Sequence, residues 1–292
     1  MSENLFKASP VWHKINGKLL QDPSDVDFTT FREVGMGRAN SKITTWNPYE
    51  PSTRYFKTLL SHIVYQSNDE FLNTYGNLTN TGLGNPINIR RSGIEFNLDY
   101  ILSTYEVLFI KPFYQKTVCE IGAGFGRTAH AMLECYPSIE KYTIIDLPNC
   151  LTLTQGYLKK VLSEKLYDKL EFLRADELDS SAFKPIDLFI NIDSFAEMTK
   201  PTIQNYLKLI QDYGKYFYSK NTIGKYKPSD MGLVNINSDD VDNIMETGLC
   251  SRQIDVFDDR DLHVGLAEGA EAYRPQGAEV LKSQLAPPFY YY

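Results

Sequence analysis

An acid, three glycines and the start of a helix fall together in this chain, at Glu120-Ile121-Gly122-Ala123-Gly124-Phe125-Gly126-Arg127. The apolar run over 117–121 predicts a buried strand, and glycines after it let the backbone turn tightly and come close to a ligand. A helix expected from about residue 128 to 135 would aim its free N–H groups at that ligand. The spacing is E-x-G-x-G-x-G, one residue different from the G-x-G-x-x-G that seats a pyrophosphate on a helix N-terminus. Glu120, placed before the glycines, suits a ligand that carries positive charge.

This stretch resembles the first motif of the class I S-adenosylmethionine-dependent methyltransferases. The resemblance continues through a second strand that ends in Asp146, 20 residues after Gly126 and followed by Leu147 and Pro148. An acid so placed can accept both ribose hydroxyls of a nucleoside. The resemblance implies S-adenosyl-L-methionine as cofactor, held by Glu120, Gly122, Gly124, Gly126, Asp146, Leu147 and Asn191. It also makes Asp176, after a third strand at 170–175, a candidate for the adenine amino group; an exposed turn carboxylate is the competing reading. The implied fold is α/β, a Rossmann-like seven-stranded methyltransferase sheet with an N-terminal, mainly helical cap.

A fourth strand, 186–193, should neighbour the first and ends in Asp193-Ser194-Phe195-Ala196-Glu197-Met198. Open α/β sheets bind ligands beyond the carboxyl ends of their strands. If the segment turns helical, Asp193 and Glu197 lie on one face and either can take a proton from a hydroxyl. Glu197 also reads as a structural acid bonded to backbone N–H groups. His263 is a second candidate base, because an imidazole titrates near neutrality, whereas His130 reads as packing. Asn191-x-Asp193-Ser194-Phe195-x-Glu197-Met198, Tyr218-Ser219-Lys220-Asn221 and Glu271-Ala272-Tyr273-Arg274-Pro275 are similar to the sugar O-methyltransferases of bacterial antibiotic and surface-polysaccharide clusters, over about residues 85–275. That likeness implies a sugar hydroxyl as acceptor, a weak nucleophile that needs a base.

Other readings stay open at this point. The cofactor motif is also compatible with methylation of a nitrogen or a non-sugar hydroxyl, and a non-catalytic module could keep the fold. Glu120, the three glycines and Asp146 weigh against such a module, and the glycine spacing weighs against a nucleotide-dependent oxidoreductase. Asp239-Asp240 and Asp258, Asp259 and Asp261 are carboxylate-rich enough for Mg²⁺. A solvated charged face is the commoner meaning of such runs, and no metal ligand set is assigned.

Around these residues the chain divides into an arm and helical cap at 1–112 and a cofactor-binding domain at 113–292. Residues 1–50 are polar and broken by Pro10, Pro23 and Pro48. Apolar residues at helical spacing over 53–75 are interrupted around Asn68, and 76–93 reads as a loop. A helix over 98–113 follows, with Tyr100, Ile101, Tyr105, Leu108 and Phe109 on its apolar side. Loop and helix together read either as a lid over the site or as core. Helices at about 149–164 and 201–213, a fifth strand at 216–219 and an edge hairpin at 251–257 and 262–265 complete the expected domain. The aromatic tail 287–292 is unassigned, compatible with disorder or with docking on a second copy in a homodimer.

A chain of 292 residues with net charge −7 is large enough for one domain plus a cap. It shows no basic stripe, which disfavours a nucleic-acid partner and leaves a small molecule. Cys119, Cys135, Cys150 and Cys250 have no pairing pattern. With no signal peptide and no membrane-length apolar run, the expected location is cytoplasmic.

Overall fold

The computed structural model describes residues 6, 8, 12, 26–33, 53–113, 116–179, 183–195, 198–223 and 290–291. Two helices, α1 (Thr53–Gln66) and α2 (Asp69–Gly76), flank the expected break, where the Asn68 side chain accepts the Phe71 N–H at 2.9 Å as an N-cap. The stretch read as loop also contains a hairpin. Strands β1 (Asn88–Arg91) and β2 (Ile94–Asn97) pair antiparallel across Ser92-Gly93, both with positive φ, the backbone a tight two-residue hairpin demands. Strands this short carry too little alternation to stand out in the sequence.

Asn97 caps α3 (Leu98–Ile110) by accepting the Tyr100 N–H, and twelve residues of this helix are buried. A helix buried on nearly all sides is a central element rather than a surface one. Tyr100 and Tyr105 are therefore core, 0% and 5% exposed, and the lid reading of this helix is overturned. Its residues share one apolar cluster with α1, α2 and the main sheet, so packing runs across the boundary expected near residue 112.

The main sheet is parallel, built from β3 (Thr117–Ile121), β4 (Lys141–Asp146), β5 (Leu170–Arg174), β6 (Ile186–Ile192) and β7 (Gly214–Lys220) in the order β5-β4-β3-β6-β7. Parallel strands need crossovers, here α4 (Arg127–Cys135), α5 (Pro148–Val161), the single turn α6 (Glu164–Tyr167) and α7 (Lys200–Tyr213). Side-chain alternation splits β3 between two cores. Val118 joins α3, α4 and α5, whereas Cys119 and Ile121 join α7 and Phe6 of the arm. Both faces of the sheet are thus covered, as its nearly continuous apolar strands require.

Five of the seven expected strands lie in this sheet, and the hairpin expected at 251–257 and 262–265 falls outside the described residues. After β7, the two-residue strand β8 (Thr222–Ile223) pairs antiparallel with β9 (Tyr290–Tyr291), so part of the aromatic tail lies on its own chain. Among the described residues Cys119, Cys135 and Cys150 form no disulfide, and no helix is long and apolar enough to cross a membrane.

Candidate functional site

Strand order reverses beside β3, where the chain first builds β4 and β5 on one side and then crosses to build β6 and β7 on the other. The carboxyl ends of β3 and β6 flank the place where such sheets leave a crevice for ligands. The glycine loop leaves β3 there, and Asn191 to Asp193 leave β6 opposite it.

Gly122 has φ +77, and a Cβ on it would lie 2.3 Å from the Ser194 side chain. Gly126, with φ +93, would bring a Cβ to 2.9 Å from Thr154 Cγ2 and is the N-cap of α4. At both glycines the absent Cβ makes room for one of the protein's own side chains. Gly124 lies between them. Its N–H donates to Asp146 Oδ2 at 3.1 Å and its carbonyl accepts from Thr154 Oγ1 at 2.5 Å.

Asp146 is half-buried at the tip of β4, where its Oδ1 also accepts the Leu147 N–H at 2.7 Å. One carboxylate therefore braces the glycine loop and the start of α5 together. Leu147 is half-buried beside it and packs on the α7 side of the sheet.

Asn191 differs from its expected role. It is 0% exposed, and its Nδ2 donates to the Ile121 carbonyl at 3.0 Å and contacts Ser194 Oγ. Its Oδ1 accepts from Asn221 Nδ2 at 3.0 Å and from the Phe195 N–H at 3.3 Å. It rivets the ends of β3, β6 and β7 to one another, a structural task that leaves the side chain turned inward. Asp193 follows with φ +57, a left-handed conformation that aspartate tolerates better than most residues, and is 5% exposed.

Beneath the crevice lies a buried ionic cluster. Glu106 of α3 accepts from Arg127 Nη1 at 2.7 Å, Arg127 Nη2 at 3.1 Å and Lys220 Nζ at 2.9 Å. Arg127 also donates to Ser103 Oγ at 2.8 Å. Burial alone would raise the Glu106 carboxyl, but the two cations outweigh it and hold the group below its ordinary value. Burial likewise opposes charge on Arg127, yet Glu106 foremost, with Asp99 and Asp193, raises its pKa. The first residue of α4 is thus tied to the end of β7 through one acid.

Glu120 behaves in the opposite way. It is 2% exposed and accepts the Tyr142 hydroxyl at 2.8 Å. Burial pushes its carboxyl up to about 7, against the Tyr142 hydrogen bond and the Arg127 charge and with help from Glu106 and Asp146. Between its unfolded value and about 7 the folded chain holds a proton that the unfolded chain has lost, so stability falls as pH rises through that window. Glu120→Gln is expected to remove this dependence, which amounts to something on the order of 3 kcal/mol between pH 4.5 and 7. Urea titrations of both proteins across that range would show it, and parallel curves would refute the buried, proton-holding role.

No protein-family model matches the chain, and no curated protein matches it. Among solved structures it is similar to the glycopeptide N-methyltransferase MtfA complexed with sinefungin, at 18% identity over 42% of this chain and 55% of that one, with TM-score 0.35. The chain thus spans little more than half the length of that structure. It is similar to the methyltransferase domain of bacterial CtHen1-C at 16% identity, over 59% and 83% of the two chains, with TM-score 0.39. A third likeness is to the O-methyltransferase TomG from Streptomyces achromogenes, involved in tomaymycin synthesis, in complex with SAM. There the identity is 10% over 75% of this chain and 87% of that one, with TM-score 0.38.

Asp176 sits in an exposed single turn after β5, where Arg174 grips its carboxylate from Nε at 3.0 Å and Nη2 at 2.7 Å. That pairing lowers its pKa. Glu197, His263 and the acidic runs at 239–240 and 258–261 lie outside the described residues. His130 is wholly buried, with Nδ1 bonded to the Tyr100 hydroxyl, and packs as expected.

Sequence reasoning gave Glu106 and Lys220 no role. In the sequence Lys220-Asn221 stands out only through the family likeness, although a lysine at the end of a buried strand already demands a partner acid.

Proposed function

We propose that this protein is an S-adenosylmethionine-dependent O-methyltransferase acting on a hydroxyl of a sugar, or of a sugar-containing natural product or surface-glycan precursor. The observation that carries the reading is the Asp146 carboxylate, half-buried at the switch-point edge and bonded to the Gly124 N–H across the glycine loop. A carboxylate accepts at about four lone-pair positions. Bonds from the Gly124 and Leu147 N–H groups are therefore compatible with further acceptance from a ribose diol. The half-buried Leu147 offers an apolar wall beside it. The donor and acceptor set suits a nucleoside, and S-adenosylmethionine when bound would supply a methyl group already activated by its positive sulfur.

The chain's own residues then have three tasks. Asp146 and the Gly124 backbone orient the nucleoside. The buried Glu106, Arg127 and Lys220 tie α3, the start of α4 and the end of β7 into one geometry, so that the acceptor oxygen can be aligned. A base receives the acceptor's proton, for which Asp193, at the end of β6 and near the Arg127 charge, stands with Glu197 and His263 as candidates. The sugar assignment is supported by the likeness at 191–198 and 218–221.

Calorimetric titration with S-adenosylmethionine and S-adenosylhomocysteine tests the cofactor, and saturable binding of both is expected. Methyl transfer from radiolabelled cofactor to a panel of nucleotide sugars and amines then tests the acceptor. Failure of both ligands to bind would sink the whole reading, and transfer to amines alone would replace the hydroxyl.

A further inference from the structure

Residues 26–33 of the arm lie against the glycine loop. Asp27 folds the segment locally, accepting the Thr29 N–H at 2.9 Å and the Thr29 hydroxyl at 2.6 Å. Phe31, 2% exposed, meets the ring of Phe125 at 5.7 Å and that of Tyr157 at 5.6 Å. Arg32, 0% exposed, donates to Asp99 at 2.6 Å and 3.1 Å and to Asn97 Oδ1 at 2.7 Å. It also donates to the carbonyls of Thr81 at 2.8 Å and Leu83 at 2.9 Å, with its guanidinium 5.3 Å from the Phe125 ring centre.

Two glycines outside the motif form the seat. A Cβ on Gly84 would lie 2.5 Å from Phe31, and one on Gly156 would lie 2.6 Å from Phe28. Gly156 is inside α5, where glycine is disfavoured relative to alanine, so the contact with Phe28 supplies its physical reason.

Phe125 stands between Gly124 and Gly126, both with positive φ, and this backbone has little stiffness of its own. Its ring is held by Phe31, Arg32 and Tyr157. We propose that Phe31 and Arg32 are positioning residues that act through Phe125, holding the glycine loop in the conformation that receives the cofactor. The arm segment is then a part of the cofactor site's framework rather than a cover over it. This inference rests on the cofactor reading above.

The test uses the full chain, with S-adenosylhomocysteine as probe and hydrogen exchange of the 26–33 amides as the measure of docking. Gly156→Ala leaves every arm side chain in place while obstructing Phe28, and Phe31→Ala removes the contact itself. Both are expected to speed exchange in 26–33 and weaken binding about tenfold, the equivalent of 1.4 kcal/mol. In a Phe125→Ala background, Phe31→Ala should weaken binding no further, a coupling that general loss of stability does not produce. Either variant with fast exchange and wild-type or tighter binding overturns the proposal, as does additivity of Phe31→Ala with Phe125→Ala. Should Gly156→Ala leave exchange slow, its affinity must stay wild-type and Phe31→Ala decides. Absence of binding by the wild-type protein would instead refute the cofactor reading, a result distinct from any of these.

Discussion

Glu106→Ala is expected to lower the free energy of unfolding by about 3–5 kcal/mol, the cost of leaving buried cations without their counter-charge. Glu106 is 0% exposed and takes four hydrogen bonds, two from Arg127, one from Lys220 and a long one from the Thr128 hydroxyl. Burial raises its pKa, but the two cations prevail and the net shift is downward. An acid with a lowered folded pKa contributes stability above its unfolded pKa and loses it as pH falls through the folded value. The gap between wild type and variant should therefore be full at neutral pH and narrow below about pH 5. Urea unfolding at several pH values measures both. A loss under about 1 kcal/mol, the range of an exposed pair, would mean that Arg127 and Lys220 reach water once the acid is gone.

Asp146→Ala carries the largest expected effect on binding. Two losses combine there: the proposed ribose acceptor, and the brace that ties Gly124 to the start of α5 through bonds of 3.1 Å and 2.7 Å. Hydrogen bonds to a charged group contribute about 1.5–3 kcal/mol each, so affinity for S-adenosylhomocysteine should fall by about 3 kcal/mol or more, roughly 150-fold. Asp146→Asn keeps one carbonyl acceptor and should lose less. Titration calorimetry on the three proteins, with thermal melts to verify folding, gives the ranking. Unchanged affinity in Asp146→Ala would remove the observation on which the proposed function stands.

Local features were legible because their causes are local. An apolar run ending in glycines marks β3 and its turn, since few other residues adopt the positive φ at Gly122, Gly124 and Gly126. The helix after them begins one residue earlier than expected, at Arg127. Asp146 could be placed at a strand end from the pattern of β4 alone. The break at Asn68 was readable because a cap acts over three residues.

What escaped depends on distance along the chain. Glu106 and Lys220 are 114 residues apart, and Arg32 and Asp99 are 67 apart. Charged residues carry no periodicity that names a partner, so any acid could have paired with either cation. The same limit explains Asn191, whose type and position suited a ligand contact. Only the convergence of β3, β6 and β7 turns its four hydrogen bonds inward. Tyr100 and Tyr105 likewise suited lid or core equally, until packing surrounded α3. The sequence by itself determined the strand, the glycine turn and the acid at the next strand's tip, because each follows from backbone sterics within a few residues. Which side chains those elements bury, pair or leave at the crevice was decided by tertiary structure alone, because burial and charge pairing depend on neighbours that folding brings together from distant parts of the chain.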